Sequence, residues 1–156
     1  ERSLELRAAE STTSDIGDAP MLPELLDQIP PGQEIGSVTA DGAFDTRKRH
    51  DAIAARGAVA IIPPRKNAKP WKPDTAGAIA RNEILRTSKR AGRTIWRRWS
   101  GYHRRSRAET RMHCVKRLGQ RLSARDFDRQ VAKFQVRVAV PNRFIALGTP
   151  ITEAKQ

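Results

Sequence analysis

The chain has 156 residues, 30 of them Lys or Arg and 17 Asp or Glu, giving a formal net charge of +13, so a length typical of one domain carries a strong positive excess. Aromatic residues make up 5% and hydrophobic residues 38%, apolar runs such as Ala58 to Ile62 fall far short of the ~20 residues that span a bilayer, and the single Cys114 excludes an internal disulfide framework or a CxxC zinc site. These features argue against a membrane protein or a carrier of hydrophobic ligands and make a polyanion, nucleic acid first, the expected partner.

Leu4 to Ala8 has a strand-like rhythm, and Asp15 and Asp18 fall in a Ser, Thr and Gly-rich connection with loop and cap character. A short helix is predicted over Leu22 to Ile29 and a strand over Ile35 to Ala40, punctuated by Asp41 and Gly42. Asp45 and Thr46 are capping residues for a helix from Arg47 to Arg56 that Gly57 closes, and Ala58 to Ile62 reads as a buried strand halted by Pro63 and Pro64. This alternation of strand and helix predicts an α/β core with parallel pairing.

The charge then changes abruptly. Residues 1–64 carry 6 basic and 11 acidic groups, residues 65–121 carry 18 and 3, and residues 122–156 carry 6 and 3. The central block is a concentrated electrostatic footprint. It opens with a proline-broken basic loop, residues 63–75, holding Arg65, Lys66 and Lys69. A helix is predicted over Ile79 to Lys89 and another from Thr94 or Gly101 to Leu122; a last one starts near Ser123, where Ser123 and Asp126 form an S-x-x-D cap and Phe127, Val131, Phe134 and Val138 supply a stripe. Pro141 is expected to end or kink it.

Tyr102, Arg105, Glu109 and Lys116 are spaced by 3, 4 and 7 residues, which on a helix gathers all four side chains within roughly 60°. One face would carry a phenol, a guanidinium, a carboxylate and an ammonium; the plainer reading is an i, i+4 ion pair between Arg105 and Glu109 on a solvated helix. Asp41 stands at the carboxyl end of a predicted strand, where α/β proteins gather ligand chemistry, so metal binding and helix capping are both open to it, whereas Asp45 reads as a cap. In Trp96-Arg97-Arg98-Trp99 two indoles flank two guanidiniums, a pattern suited to stacking on bases, although core packing of at least one Trp is expected. His103, His113 and Cys114 do not form a ligand cluster, since His113 and Cys114 point about 100° apart on a helix.

The block Asp41-Gly42-Ala43-Phe44-Asp45-Thr46, followed after the basic loop by Y-x2-R-x3-E-x6-K at Tyr102, Arg105, Glu109 and Lys116, resembles the catalytic part of a DDE-type insertion-sequence transposase. The resemblance runs from the strand near Leu4 to the helix near Ile145. It implies an RNase H-like α/β fold, a mixed sheet with flanking helices, in which three acids hold two Mg²⁺ or Mn²⁺ ions for DNA cleavage and strand transfer. By the same resemblance Asp41 is the second acid and Glu109 the third. Tyr102, Arg105 and Lys116, with loop residues Arg65, Lys66 and Lys69 and with Arg97 and Arg98, would contact the DNA of transposon ends and target.

No residue fits the first acid, which belongs on an earlier strand. The expectation is therefore an amino-terminally truncated catalytic domain over residues 1–150, with a signature helix at about 101–122 and a tail at 151–156, inactive alone and either completed by an upstream transposase polypeptide or a further copy, or a relic. The resemblance also implies a bacterial cytoplasmic, nucleoid-associated location. The competing reading is a non-catalytic basic DNA-binding protein, an inhibitor of transposition that occupies transposon ends. An RNA-associated protein accounts for the charge but not for the four-residue signature.

Overall fold

The computed structural model describes residues 5–9, 19–119 and 124–148. By contacts the chain forms two compact units, residues 12–106 and residues 1–11 with 107–156.

In the first unit a 3-10 turn, Ala19–Met21, leads into α1, Leu22–Asp27. Leu22 and Leu26, one helical turn apart, are its buried pair. Its carboxyl end is closed from a distance by the Arg56 guanidinium, which donates to the carbonyls of Leu26, Ile29 (3.0 Å) and Pro30 (3.1 Å) and so satisfies acceptors that a helix end leaves free. Strand β1, Ser37–Thr39, and strand β2, Val59–Ile61, pair in parallel with Ser37 opposite Val59, Val38 opposite Ala60 and Thr39 opposite Ile61. Between them runs α2, Arg47–Ala55, which stops before Gly57 at φ 65°, a left-handed turn that glycine adopts without penalty. The expected order of helix, strand, helix and strand from Leu22 to Ile62 is present, with strands shorter than the apolar runs that announced them.

Leu22, Leu26, Ala40, Ile53, Ala60 and Ile62 form the core, ringed by Ile35, Val38, Phe44, Ala52, Ala58 and Ile84. Each large aliphatic side chain buried there contributes about 1.5–3 kcal/mol. Helix α3, Ala76–Ala91, is capped by Thr75, whose hydroxyl oxygen accepts from the Ala78 amide at 3.2 Å and whose hydroxyl also donates to Asp51 at 2.6 Å. Gly77 marks the crossing of α3 over α2: a Cβ there would stand 2.5 Å from the Asp51 nitrogen and from the His50 carbonyl carbon.

The gap expected between a helix ending near Lys89 and the next one is present: Gly92, at φ 81°, separates α3 from α4, Arg93–Trp99. The second expected helix, with its start open between Thr94 and Gly101, is divided in two, since Gly101, at φ 71°, ends the turn after α4. Tyr102–Arg104 form a 3-10 turn, and α5 covers Arg105–Arg117. Tyr102 is therefore off the α-helix that carries Arg105, Glu109 and Lys116, which corrects the shared-face expectation for the phenol. Residues 120–122 lie outside the described residues, as do Ser123, Asp15, Asp18 and the tail at 151–156.

In the second unit the expected strand near Leu4 is absent from the described residues 5–9. The Leu6 amide instead donates to Asn142 Oδ1 at 2.8 Å and the Leu6 carbonyl accepts from Asn142 Nδ2 at 2.7 Å, so a side-chain amide takes both groups that a neighbouring strand would have paired. Helix α6, Phe127–Leu147, runs through Pro141 rather than ending there. One lost backbone bond in a helix of 21 residues is offset by packing, for Pro141 is itself buried. No helix of the described residues is long and apolar enough to cross a membrane.

Candidate functional site

Asp41 stands one residue beyond the end of β1, after Ala40, and is the N-cap of a 3-10 turn, Gly42–Phe44. Its Oδ1 accepts from the Ala43 amide at 2.9 Å, the capping role open to it from sequence. Oδ2 faces Arg105 Nη2 at 3.4 Å, with the two side chains 40% and 36% exposed. The fold thus brings together residues 64 apart in the chain, one from each motif singled out in the sequence. Arg65 joins them at the same edge, its Nε donating to the Gly42 carbonyl at 3.4 Å.

Beneath this edge lies a group that the sequence reading assigned differently. Asp45 is buried and its side chain caps no helix; Thr46 takes the N-cap position of α2, without a side-chain cap hydrogen bond. Arg81, on α3, donates from Nε to Asp45 Oδ1 and from Nη2 to Oδ2, each at 3.0 Å, and the Arg65 amide donates to Oδ2 at 3.1 Å. His50 Nε2 stands 3.3 Å from Oδ1, although neither ring nitrogen has an aligned hydrogen-bond partner among the described residues. Burial by itself raises the Asp45 pKa; the neighbouring His50, the Arg81 and Arg65 donors and the Arg81 charge outweigh it and hold the carboxyl well below the ordinary carboxylate range. Asp45 is therefore an ionised anchor.

That anchor fixes the basic loop. Arg81 Nη1 donates to the Lys69 carbonyl at 2.7 Å, and its guanidinium lies 4.2 Å from the centre of the Trp71 ring, against whose edge His50 packs at 5.4 Å. Asn82 pairs with the Trp71 backbone in both directions, each bond 2.8 Å. The loop backbone is pinned at 65, 69 and 71, and the Lys66 and Lys69 side chains are exposed. A signal for this existed: Arg81 interrupts the apolar stripe of Ala78 and Leu85 on α3, and a cation on such a stripe calls for a buried anion.

Trp96 is buried, as expected for one of the two indoles, with the Tyr102 ring 6.2 Å away, and the Arg97 guanidinium lies over the phenol ring at 5.4 Å. Arg98 is exposed. Glu109 and Lys116 are exposed on α5, within the second unit, at i+4 and i+11 from Arg105.

Carboxylate oxygens are the ligands that Mg²⁺ and Mn²⁺ favour, and Mg²⁺ is commonly held by one or two carboxylates with water and substrate phosphates completing the shell. The part-exposed carboxylate of Asp41, one oxygen held by a backbone amide and the other in only a long contact, suits that chemistry; Asp45, with both oxygens engaged, does not. Among the described residues no group of three or more His, Cys, Asp or Glu side chains is placed to hold a metal ion. Residues 1–142 match the family model of the transposase DDE domain. No solved structure gives a significant match.

Proposed function

The chain belongs to the transposase DDE domain family, and from that premise we propose that it serves DNA transposition through metal-dependent cleavage and strand transfer at insertion-sequence ends, on an RNase H-like core, in the bacterial cytoplasm. The observation that carries the proposal is the meeting of Asp41 with Arg105 near the carboxyl end of β1, one residue from each of the two motifs.

Asp41 and Glu109 are the residues that would hold Mg²⁺ or Mn²⁺. When bound, such a cation neutralises charge at the phosphodiester and activates the nucleophile. Arg105 and Lys116 hold phosphate oxygens by charge-assisted hydrogen bonds, with Tyr102 supporting the same strand. Arg65, Lys66 and Lys69 hold the flanking backbone, as do Arg97 and Arg98 on α4. In the displacement, the incoming oxygen of water or of a DNA 3′-hydroxyl forms a new bond to phosphorus as the bond to the leaving 3′-oxygen breaks. The family's set has three acids, and the first of them, which no residue fits here, would be supplied by a second polypeptide.

The test is a Mn²⁺ titration, with binding of duplex DNA that carries insertion-sequence ends measured on the same samples. Mn²⁺ binding that disappears in Asp41→Asn and in Glu109→Gln while DNA binding persists supports the proposal, and undiminished Mn²⁺ binding in either variant contradicts it. A second reading, a non-catalytic competitor for transposon ends, is favoured by the 18 basic and 3 acidic residues of segment 65–121. Salt-sensitive binding without Mn²⁺ affinity or cleavage would select it.

A further inference from the structure

Helices α3 and α4 enclose a groove of about 740 Å³ away from the Asp41 turn, lined by Arg86, Thr87, Arg90, Ile95 and Trp99, with Glu83 at its rim. Its apolar surface is unusual for so charged a segment. Trp99 is 75% and Ile95 46% exposed, whereas Trp96, three residues before Trp99, is buried. Core packing thus accounts for one indole of the pair and leaves the other without a structural task. The charge around it has one sign: residues 76–99 hold seven basic groups and one acid, Glu83, which is already paired with Arg86 at 2.8 Å.

We infer that this groove binds an unpaired DNA strand, with a base stacked on Trp99 and its flanking phosphates held by Arg86 and Arg90. The chemistry selects that occupant. Every base offers a π face to an indole, and such stacking, combined with a cationic track for the backbone, is how proteins hold single strands without reading sequence. In a duplex those faces are covered by neighbouring bases, so Trp99 can take only a base that has left the stack, at a frayed end or beside a nick. The repeated guanidiniums disfavour a basic or apolar peptide. The inference rests on the reading of the chain as a protein of DNA transposition and adds to it a site that distinguishes opened ends from intact duplex.

The experiment compares a thymidine oligonucleotide of about 12 nucleotides with a duplex of the same length, using labelled-DNA anisotropy and intrinsic tryptophan fluorescence. The proteins are the full chain, Trp99→Leu, Trp99→Phe and the pair Arg86→Ser with Arg90→Ser. The exposure of Trp99 makes these changes compatible with folding. The expected result is about a tenfold loss of single-strand affinity in Trp99→Leu, loss of the fluorescence quenching that accompanies binding, near-complete rescue in Trp99→Phe, and duplex affinity changed by less than about twofold. In the double arginine variant, single-strand binding falls and loses part of its salt dependence. Failure of the parent to bind the single strand would overturn the inference. So would equal single-strand affinity in parent and Trp99→Leu, or equal losses on single strand and duplex. Loss of self-association in Trp99→Leu with DNA binding intact would make the groove a protein contact and also overturn it. None of these outcomes bears on Mn²⁺ binding by Asp41 and Glu109, neither of which lines the groove, so the two readings fail separately.

Discussion

Asp45 and Arg81 meet through two parallel hydrogen bonds of 3.0 Å, with side chains only 1% and 2% exposed. The pair ties the turn after β1 to α3 and, through the Arg65 amide and the Lys69 carbonyl, sets the course of the basic loop. Removing one partner strands a buried charge. Arg81→Met and Asp45→Asn should each lower unfolding free energy by about 3–5 kcal/mol, measured by urea denaturation, and the double variant should lose clearly less than the two single losses together.

The same pair gives stability a pH dependence of definite sign. The Asp45 carboxyl is held below its unfolded value, which lies at about 3.9. Its contribution is therefore fully present above about pH 4 to 5 and drains away as pH falls toward the lowered folded value. Thermal unfolding followed from pH 6 to pH 2.5 should show a fall in melting temperature for the parent that is much shallower in Asp45→Asn. Parallel curves would remove Asp45 from the account.

Gly77 lies where α3 crosses α2 with no room for a methyl group, a Cβ there standing 2.5 Å from backbone atoms of Asp51 and His50. Gly77→Ala should cost about 1–3 kcal/mol by forcing the helices apart, even though alanine is the better helix former. Gly36→Ala meets nothing within 4 Å and serves as the control in the same denaturation series.

Arg105 sits 3.4 Å from the Asp41 carboxylate, and a resident cation there opposes the approach of another. Arg105→Gln should raise Mn²⁺ affinity by about two- to fivefold, the scale of a part-exposed ion pair, while weakening DNA binding. Calorimetry for the metal and anisotropy for the DNA would register these opposite signs.

Lys66 and Lys69 extend from a loop whose backbone is pinned, and each is exposed. Replacing either with Ala should leave folding unchanged and lessen the slope of log affinity against log salt by about 0.9 on duplex DNA. The effect should not depend on DNA sequence, because phosphate contacts carry no base information.

The alternation from Leu22 to Ile62 was legible because each element had its own punctuation: Gly57 after α2, and Pro63 and Pro64 after β2. Asp41 was legible as a site candidate for the same reason, as the acid at a strand's carboxyl end. Asp45 reads as a cap in the sequence because its partner Arg81 is 36 residues away and local spacing holds no trace of a tertiary ion pair. The break at Gly92 falls in the gap between the two helices read from the sequence, whereas Gly101 is legible only as one of two starts for the second, because the segments on both sides of it are helical. Near Leu6, strand rhythm described the side chains correctly and failed on the backbone, whose pairing depends on a neighbour that here is the Asn142 side chain.

The most direct measurement is a calorimetric Mn²⁺ titration of the chain beside Asp41→Ala, Glu109→Ala and the double variant, at fixed ionic strength. Asp41 and Glu109 acting on one cation predict that either single change removes most of the binding heat and that the double change adds little further, the non-additivity of a shared site. Binding that survives unaltered in the double variant would contradict the assignment of these two acids as the metal ligands of a transposase centre.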